Sequence, residues 1–311
     1  MAGISGGPFG PVRPRRPLTP ILRDPAVSVN SRSDHPVTDP TGRGWTVGPA
    51  YSAAVSPRWP YLDAPTPLAF AHRGGAAEGD ENTMAAFARA VALGYRYVET
   101  DVHATADGVP VVFHDAGLRR LTGEPGQLAA LRWADLATVR VGGAVAVPRL
   151  DEVLAAWPRV RFNIDVKAEG GVAATVATVR RAGADRRVLL ASFSDARLRA
   201  LAGPGVATSL GMRSVARLRV ASLTGRRVRL PASVVAAQVP VRWRGVPVVD
   251  ARFVRYAHRL GLQVHVWTID RPAVMHALLD LGVDGIMTDR VEVLRDVYAS
   301  RGHWSPSTPP E

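Results

Sequence analysis

Between residues 67 and 301, short apolar runs alternate with longer runs of helical spacing. The short runs are rich in β-branched residues and mostly keep a period of two. They predict strands at 68–72, 97–102, 109–114, 162–167, 188–193, 206–210, 234–239, 263–268 and 285–287. The longer runs predict helices near 83–93, 150–156, 171–182, 195–202, 251–260, 272–281 and 291–299. Strands alternating with helices imply a parallel sheet. Eight or nine such strands in about 235 residues fit a (β/α)8 barrel better than a doubly wound sheet. No GxGxxG follows the first strand, which weakens the dinucleotide-binding alternative.

Two stretches break the alternation. Only residues 103–108 separate the second and third strands, too few for a crossover helix, so this pair reads as a hairpin or an irregular part of the barrel. Residues 115–149 show short turns and one weak helix and read as a small insertion above the barrel rim. Outside the alternating region the pattern disappears. Thirteen of the 25 prolines lie in the first 67 residues, which contain no Lys or Glu. Residues 1–66 are therefore expected to form a Pro/Arg-rich, mostly disordered extension. Its aromatics Trp45, Tyr51, Trp59 and Tyr61 suggest that its later part packs on the main body. Residues 67–301 form the expected domain, and 302–311 a disordered tail.

Composition narrows the chemistry. The chain has no cysteine, so it has no disulfide framework and no thiolate nucleophile. A metal site must use oxygen or imidazole ligands. No apolar run is long enough for a bilayer, and no apolar core follows the N-terminal arginines, so the default location is cytoplasmic. The formal charge of +12 favours anions: phosphate esters, nucleic acid or anionic lipid. Yet 38 of the 39 basic residues are Arg, amid abundant Ala, Gly, Val and Pro. That points to codon bias more than to a nucleic-acid patch. Peripheral membrane contact and oligomeric state stay open. The single lysine, Lys167, stands out.

In a (β/α)8 barrel the functional groups sit at the C-terminal ends of strands. The first four predicted strands bring ionisable residues there: His72 and Arg73; Glu99 and Asp101; His114; Asp165 and Lys167. A strand has a side-chain period of two, so Glu99 and Asp101 share a face, as do Asn163, Asp165 and Lys167. Three carboxylates in a barrel mouth repel strongly, and a divalent cation, Mg²⁺ or Ca²⁺, is the simplest relief. Imidazoles supply acid–base chemistry near neutral pH, while Arg, Lys and a metal stabilise phosphoryl oxygens. Together these groups imply metal-assisted displacement at a phosphodiester.

The same residues carry a resemblance. "HRGGAAEGDENTMAAFARAVALGYRYVETDVHATADGVPVVFHD" is similar to the opening of the glycerophosphodiester phosphodiesterase family. The shared features are HRG at 72–74, ENT at 81–83, E-x-D at 99–101, a T-x-DG turn at 105–108 and HD at 114–115. "FNIDVK", "VHVWTID" and "GVDGIMTDR" resemble its later motifs, and the likeness covers roughly residues 67–300. It implies a PLC-like phosphodiesterase TIM barrel that hydrolyses glycerophosphodiesters to sn-glycerol 3-phosphate and an alcohol, in glycerol and lipid metabolism. Carried over, His72 and His114 are the acid–base pair, Glu99 and Asp101 bind the metal, and Asp165 is the third ligand. Arg73 and Lys167 bind phosphate, Trp267 lines the pocket, and Glu81 supports the metal site or the His–Arg loop. The chain departs from the pattern at Asp80, where the family has proline, and at Asp165, where it has Glu.

Other readings compete. A lysophospholipid or sphingolipid head-group hydrolase of the same fold would need an apolar groove or membrane-contacting loops. A non-catalytic polyanion- or membrane-binding scaffold would need no intact site. Locally, His265 reads as a core histidine, and His103 as a loop residue. Asp115 reads as a cap or as a partner of His114. Gly108 and Gly285 read as turn residues, and Asn82 or Asp80 as the cap of the first helix.

Overall fold

The structure, a computed structural model, describes residues 59–304. The strands are β1 (Leu68–Ala71), β2 (Tyr97–Ala104), β3 (Pro110–Val112), β4 (Arg140–Val141), β5 (Val145–Ala146), β6 (Arg161–Val166), β7 (Val188–Ala191), β8 (Ala207–Ser209), β9 (Val234–Val239), β10 (Arg242–Trp243), β11 (Val246–Pro247), β12 (Gln263–Val266) and β13 (Gly285–Thr288). The helices are α1 (Met84–Ala92), α2 (Arg119–Thr122), α3 (Trp133–Leu136), α4 (Leu150–Ala156), α5 (Val172–Arg181), α6 (Asp195–Leu201), α7 (Met212–Thr224), α8 (Ala251–Arg259), α9 (Pro272–Asp280) and α10 (Val291–Ser300). Strands β1, β2, β6, β7, β8, β9, β12 and β13 pair in parallel, and β1 bonds to both β2 and β13, so the sheet closes as the expected (β/α)8 barrel. None of the described helices is long and apolar enough to cross a membrane.

The irregular stretch after β2 is a hairpin. β3 runs antiparallel to β2, with Val102 opposite Val112 and Ala104 opposite Pro110. The turn between them closes through Gly108 N donating to Thr105 O, with Gly108 in the left-handed region at φ 78°. The crossover helix comes only at α4, after residues 115–149. That segment carries α2, α3 and the small β4–β5 pair. Beneath it lies its own cluster of Phe113, Leu118, Leu128, Leu136 and Val141.

Inside the barrel the strands keep a period of two, and chemistry changes along each one. Leu68, Phe70, Tyr97, Leu189 and Met287 fill the lower interior. Below them the segment before β1 packs: Tyr61 is buried, and its carbonyl accepts a bond of 2.7 Å from the Tyr97 hydroxyl. The proposed packing points Trp45 and Tyr51 lie outside the described residues, as do the rest of 1–58 and 305–311.

Several local expectations change. Gly285 is not a turn residue; it opens β13, and a Cβ there would stand 2.8 Å from Phe70 and 2.9 Å from His265. The lower interior has no room for a side chain at that point. His103 lies in β2 rather than in a loop, buried, with Nε2 donating to the His114 carbonyl at 3.1 Å. Thr83 caps α1 in place of Asn82 or Asp80, its hydroxyl accepting from Ala86 N. The sequence pattern gives no helix at α7, where only Leu218 and Ala221 are buried.

At the base of the barrel, Asp284 ties three elements. Its carboxylate accepts from Val264 N at 2.8 Å and from His258 Nε2 at 2.7 Å, and its carbonyl accepts from Leu68 N. The Asp284 hydrogen bond outweighs burial and raises the His258 pKa. Replacing Asp284 with Ala should cost about 2 kcal/mol, because the Val264 N–H and the imidazolium lose their acceptor. A raised histidine pKa contributes stability that is complete below about pH 6.5 and fades as pH rises through the folded-state value. In urea denaturation the deficit of Asp284→Ala should therefore be larger in acid than in alkali. A deficit independent of pH would remove His258 from the account.

Candidate active site

His72 and Arg73 follow β1 in a tight turn. Arg73, Gly74 and Gly75 all have positive φ, at 52°, 82° and 97°. Gly74 passes so close to α1 that a Cβ would meet Phe87 at 2.7 Å and Ala86 at 3.0 Å. This turn delivers the imidazole and guanidinium to the barrel mouth. His72 Nδ1 donates to Asp289 Oδ1 at 2.6 Å, and its Nε2 stands 3.7 Å from Glu99 Oε2. Arg73 bonds to Glu99 through its backbone N–H (3.1 Å) and to Glu81 through its guanidinium (2.8 Å), and its Nε lies 3.1 Å from Asp101 Oδ2.

Glu99, Asp101 and Asp165 are all buried. Register places Asp101 directly beside Asp165 on the neighbouring strand. Lys167 Nζ stands 2.8 Å from Asp101 Oδ1 and 2.8 Å from Asp165 Oδ2, while Asp165 Oδ1 is buried without a hydrogen-bond partner. Among the described residues, no three carboxylate or imidazole groups converge at metal-ligand spacing; the ammonium occupies the gap between these two. Burial, then the charge of Asp101, pushes Glu99 up to about 7. Asp101 is held below the usual carboxylate range because Lys167 and Arg73 outweigh its burial.

His114 follows β3. Its Nδ1 donates to Asp115 Oδ1 at 2.6 Å, and Arg120 grips Asp115 with Nε at 2.6 Å and Nη2 at 3.0 Å. The same guanidinium reaches Glu81 at 2.7 and 3.0 Å. A continuous ionic chain thus runs Arg73–Glu81–Arg120–Asp115–His114. The two imidazoles are polarised in opposite directions. Burial opposes protonation of both, but Glu99 and Asp289 overcome it at His72 and raise its pKa. At His114 burial, joined by Lys167 and Arg73, wins over Asp101 and Asp115 and lowers it.

One cavity of about 730 Å³ is lined by His72, Arg73, Glu99, Asp101, His114, Asp165, Lys167 and Trp267. Glu81 does not line it and sits behind, between Arg73 and Arg120. Trp267 forms the far wall, edge-on to Phe193 at 5.6 Å. His265 is fully buried and bonds to Gln263 at 2.9 Å; burial pushes it down to about 4. Sequence reasoning missed Asp289 and Arg120, and it took Asn82 only as a cap. Asp289 stands in the TD of the closing motif, two residues beyond the inward-facing Met287, and strand periodicity extended by one step would have found it.

Asn82 adopts a left-handed conformation, φ 59°. From there its amide donates to Asp101 Oδ2 at 2.8 Å, and its carbonyl accepts from the Thr100 hydroxyl at 2.8 Å. Asn82→Ala removes these bonds, together with a longer one of 3.3 Å from Asp101 N to the Asn82 carbonyl, and leaves a Cβ residue at positive φ, so the expected loss is about 3 kcal/mol. Asn82→Gly loses the bonds without the strain and should fall between wild type and Ala in urea denaturation. Equal values for the two variants would eliminate the strain contribution.

Residues 72–293 match the model of the glycerophosphoryl diester phosphodiesterase family. The chain is 42% identical over 244 residues to "Probable glycerophosphodiester phosphodiesterase 2" of Mycobacterium tuberculosis, covering 76% of this chain and 92% of that protein. It is 26% identical over 249 residues to the glycerophosphodiester phosphodiesterase of Caldanaerobacter subterraneus, covering 76% and 99%. The crystal structure of glycerophosphodiester phosphodiesterase from Agrobacterium tumefaciens superposes with a TM-score of 0.60 at 25% identity, over 75% of this chain and 99% of that one. The barrel, the ionic mouth and these likenesses agree: the chain is an enzyme of the glycerophosphoryl diester phosphodiesterase family.

Proposed function

We propose that the enzyme hydrolyses glycerophosphodiesters to sn-glycerol 3-phosphate and an alcohol, with His72 and His114 as the acid–base pair and a divalent cation at the mouth. The observation that carries this reading is the opening of two imidazoles, three carboxylates, Arg73 and Lys167 into a single cavity. In the reaction an oxygen nucleophile forms a bond to phosphorus as the bond from phosphorus to the alcohol oxygen breaks. One imidazole takes the proton of the nucleophile and the other gives a proton to the departing alkoxide. Arg73 and Lys167 neutralise the phosphoryl oxygens as charge builds there. Asp289, and Asp115 braced by Arg120, fix the tautomer and orientation of the two imidazoles. Trp267 bounds the organic part of the substrate, and Glu81 holds Arg73 in place.

The donor set fits a hard cation such as Mg²⁺ or Ca²⁺. Its charged donors are carboxylate oxygens, and one of them, Asp165 Oδ1, is buried without a partner. Glu99 and Asp101 would hold the ion, with Asp165 as a third ligand once the Lys167 ammonium turns to the phosphoryl group. Such an ion supplies Lewis-acid stabilisation of the phosphoryl oxygens.

A product-resolved assay across glycerophosphodiesters, with Mg²⁺, Ca²⁺ and chelator compared, tests the reading directly. Hydrolysis insensitive to chelation would remove the cation, and no hydrolysis of any diester would remove the function. His72→Ala and His114→Ala should each lower kcat by at least ~10²-fold, the usual scale for acid–base groups. An unchanged kcat in either variant would withdraw that histidine. Glu99→Gln should weaken Mg²⁺ binding in calorimetry, and activity should recover in part at higher Mg²⁺. Unaltered binding would place the ion elsewhere.

A further inference from the structure

The cavity answers charge with charge on one side only. Glu99, Asp101 and Asp165 line it together with Arg73, Lys167 and the two imidazoles. Across the mouth, α7 and the β10–β11 hairpin add three more guanidiniums to the lining, from Arg213, Arg219 and Arg244, and among the described residues no carboxylate lines that side. Two carboxylates touch these elements without lining the cavity. Asp195 accepts from Arg213 N at 3.0 Å and from Ser214 N at 3.2 Å at the start of α7. Asp250 caps α8 through Phe253 N and holds Arg219 Nη2 at 2.7 Å. Arg219 Nη1 is buried without a hydrogen-bond partner. The guanidiniums of Arg213 and Arg244 have no ion-pair or hydrogen-bond partner among the described residues. On α7, Arg213, Ala216, Arg219 and Val220 recur at i, i+3, i+6 and i+7, so one side of the helix serves the cavity. In the hairpin, Arg244 and Gly245 form a two-residue turn with φ 48° and 81°. Such a turn favours Asn–Gly, and a Cβ residue resists the left-handed backbone. Arg242 stabilises the turn by donating to the Gly245 carbonyl at 2.8 and 3.2 Å. Arg244 makes no such contribution, and a strained side chain at a cavity without a partner in the fold points to a ligand.

We infer that Arg213, Arg219 and Arg244 form a subsite for a second anion, a phosphate group carried by the alcohol of the diester, while the diester to be cleaved lies at His72 and His114. The inference rests on the diesterase reading above and adds the class of alcohol. The glycerol arm carries only hydroxyls, so an anion at this wall has to come from the alcohol. Guanidinium forks match phosphate oxygens, and three cations suit a dianion. The volume of about 730 Å³ holds more than a glycerol and a phosphate, and Met212, Val220 and Trp243 beside the arginines offer apolar contact to the carbon frame of the alcohol. The hydrolysis balances with water alone. The hydroxyl of water bonds to the diester phosphorus, and the bond from that phosphorus to the alcohol oxygen breaks. The proton lost from water is matched by the one the leaving alkoxide receives, giving sn-glycerol 3-phosphate and the phosphorylated alcohol. The second phosphate takes no part in bond making.

Full-length enzyme assayed on glycerophosphoinositol and on glycerophosphoinositol 4-phosphate tests this, since the two diesters differ only in the second phosphate. The ratio of their kcat/KM values should favour the phosphorylated diester by about tenfold or more. In the double variant Arg213→Gln with Arg244→Asn that ratio should fall toward one. Asn suits the left-handed turn position, so the hairpin is kept. Arg217→Gln, on α7 but outside the cavity lining, removes one exposed positive charge and should leave the ratio in place. An equal fall in Arg217→Gln would assign the preference to overall charge and overturn the subsite, as would a ratio that survives the double variant. A wild-type ratio at or below one, on an enzyme that cleaves both diesters, would overturn this inference alone. If no diester is cleaved, the underlying reading falls and this one with it.

Discussion

Asp101 is 1% exposed and carries its charge into the barrel mouth between two other buried carboxylates. A buried charge persists only if it is paired and hydrogen-bonded. Here Lys167 takes one oxygen, while Asn82 and the Arg73 Nε approach the other. Nearly every other feature of the site follows from this balance. Lys167 must stand on the same face of β6 as Asp165, so the sixth strand supplies both a carboxylate and its counter-ion. Arg73 must reach down from the turn after β1, which requires a left-handed backbone there. Asn82 must turn its amide inward just before α1, which moves the helix cap to Thr83. Glu99 has fewer partners than Asp101, and burial, then the charge of Asp101, pushes its pKa up.

The same balance explains how two distant histidines come under common control. Arg73 touches Glu81, and Glu81 touches Arg120, which holds Asp115 against His114. The insertion after β3 thus does more than cover the rim. Arg120 sits in its first helix, and it joins the hairpin histidine to the loop that carries the other one. Delaying the crossover helix until α4 is what gives the chain room to place that arginine. The short link after β2 and the long segment after β3 are two parts of one arrangement: the hairpin brings His114 back beside Asp101, and the insertion braces it.

Much of this was legible in local pattern. The period of two put Glu99 with Asp101, and Asp165 with Lys167, on inward faces. The alternation of strands and helices gave the barrel. What stayed hidden depends on closure or on weak local signals. Asp289 meets His72 only because β13 returns beside β1, a contact across 217 positions. Arg120 lies on a four-residue helix with no periodic signature. α7 was missed because its apolar residues form no single stripe: Leu218 and Val220 lie about 200° apart around the axis, and only the first is buried. Gly285 looked like a turn because glycine usually is one, whereas the packing of Phe70 and His265 accounts for it. The Leu218–Val220 conflict is itself informative, since an apolar residue facing away from the core needs another reason to be there.

Val220 lines the cavity, whose mouth divides by strand. Going around the sheet, β13, β1, β2 and β6 are consecutive, and they or the residues just beyond them supply Asp289, His72, Arg73, Glu99, Asp101, Asp165 and Lys167. The remaining four strands, β7, β8, β9 and β12, are also consecutive. At the mouth they present Phe193, Ser209, Gln238 and Trp267. At the strand ends charge is thus confined to one half of the mouth, while α7 and the β10–β11 hairpin bring Arg213, Arg219 and Arg244 to the other half beside Met212, Val220 and Trp243.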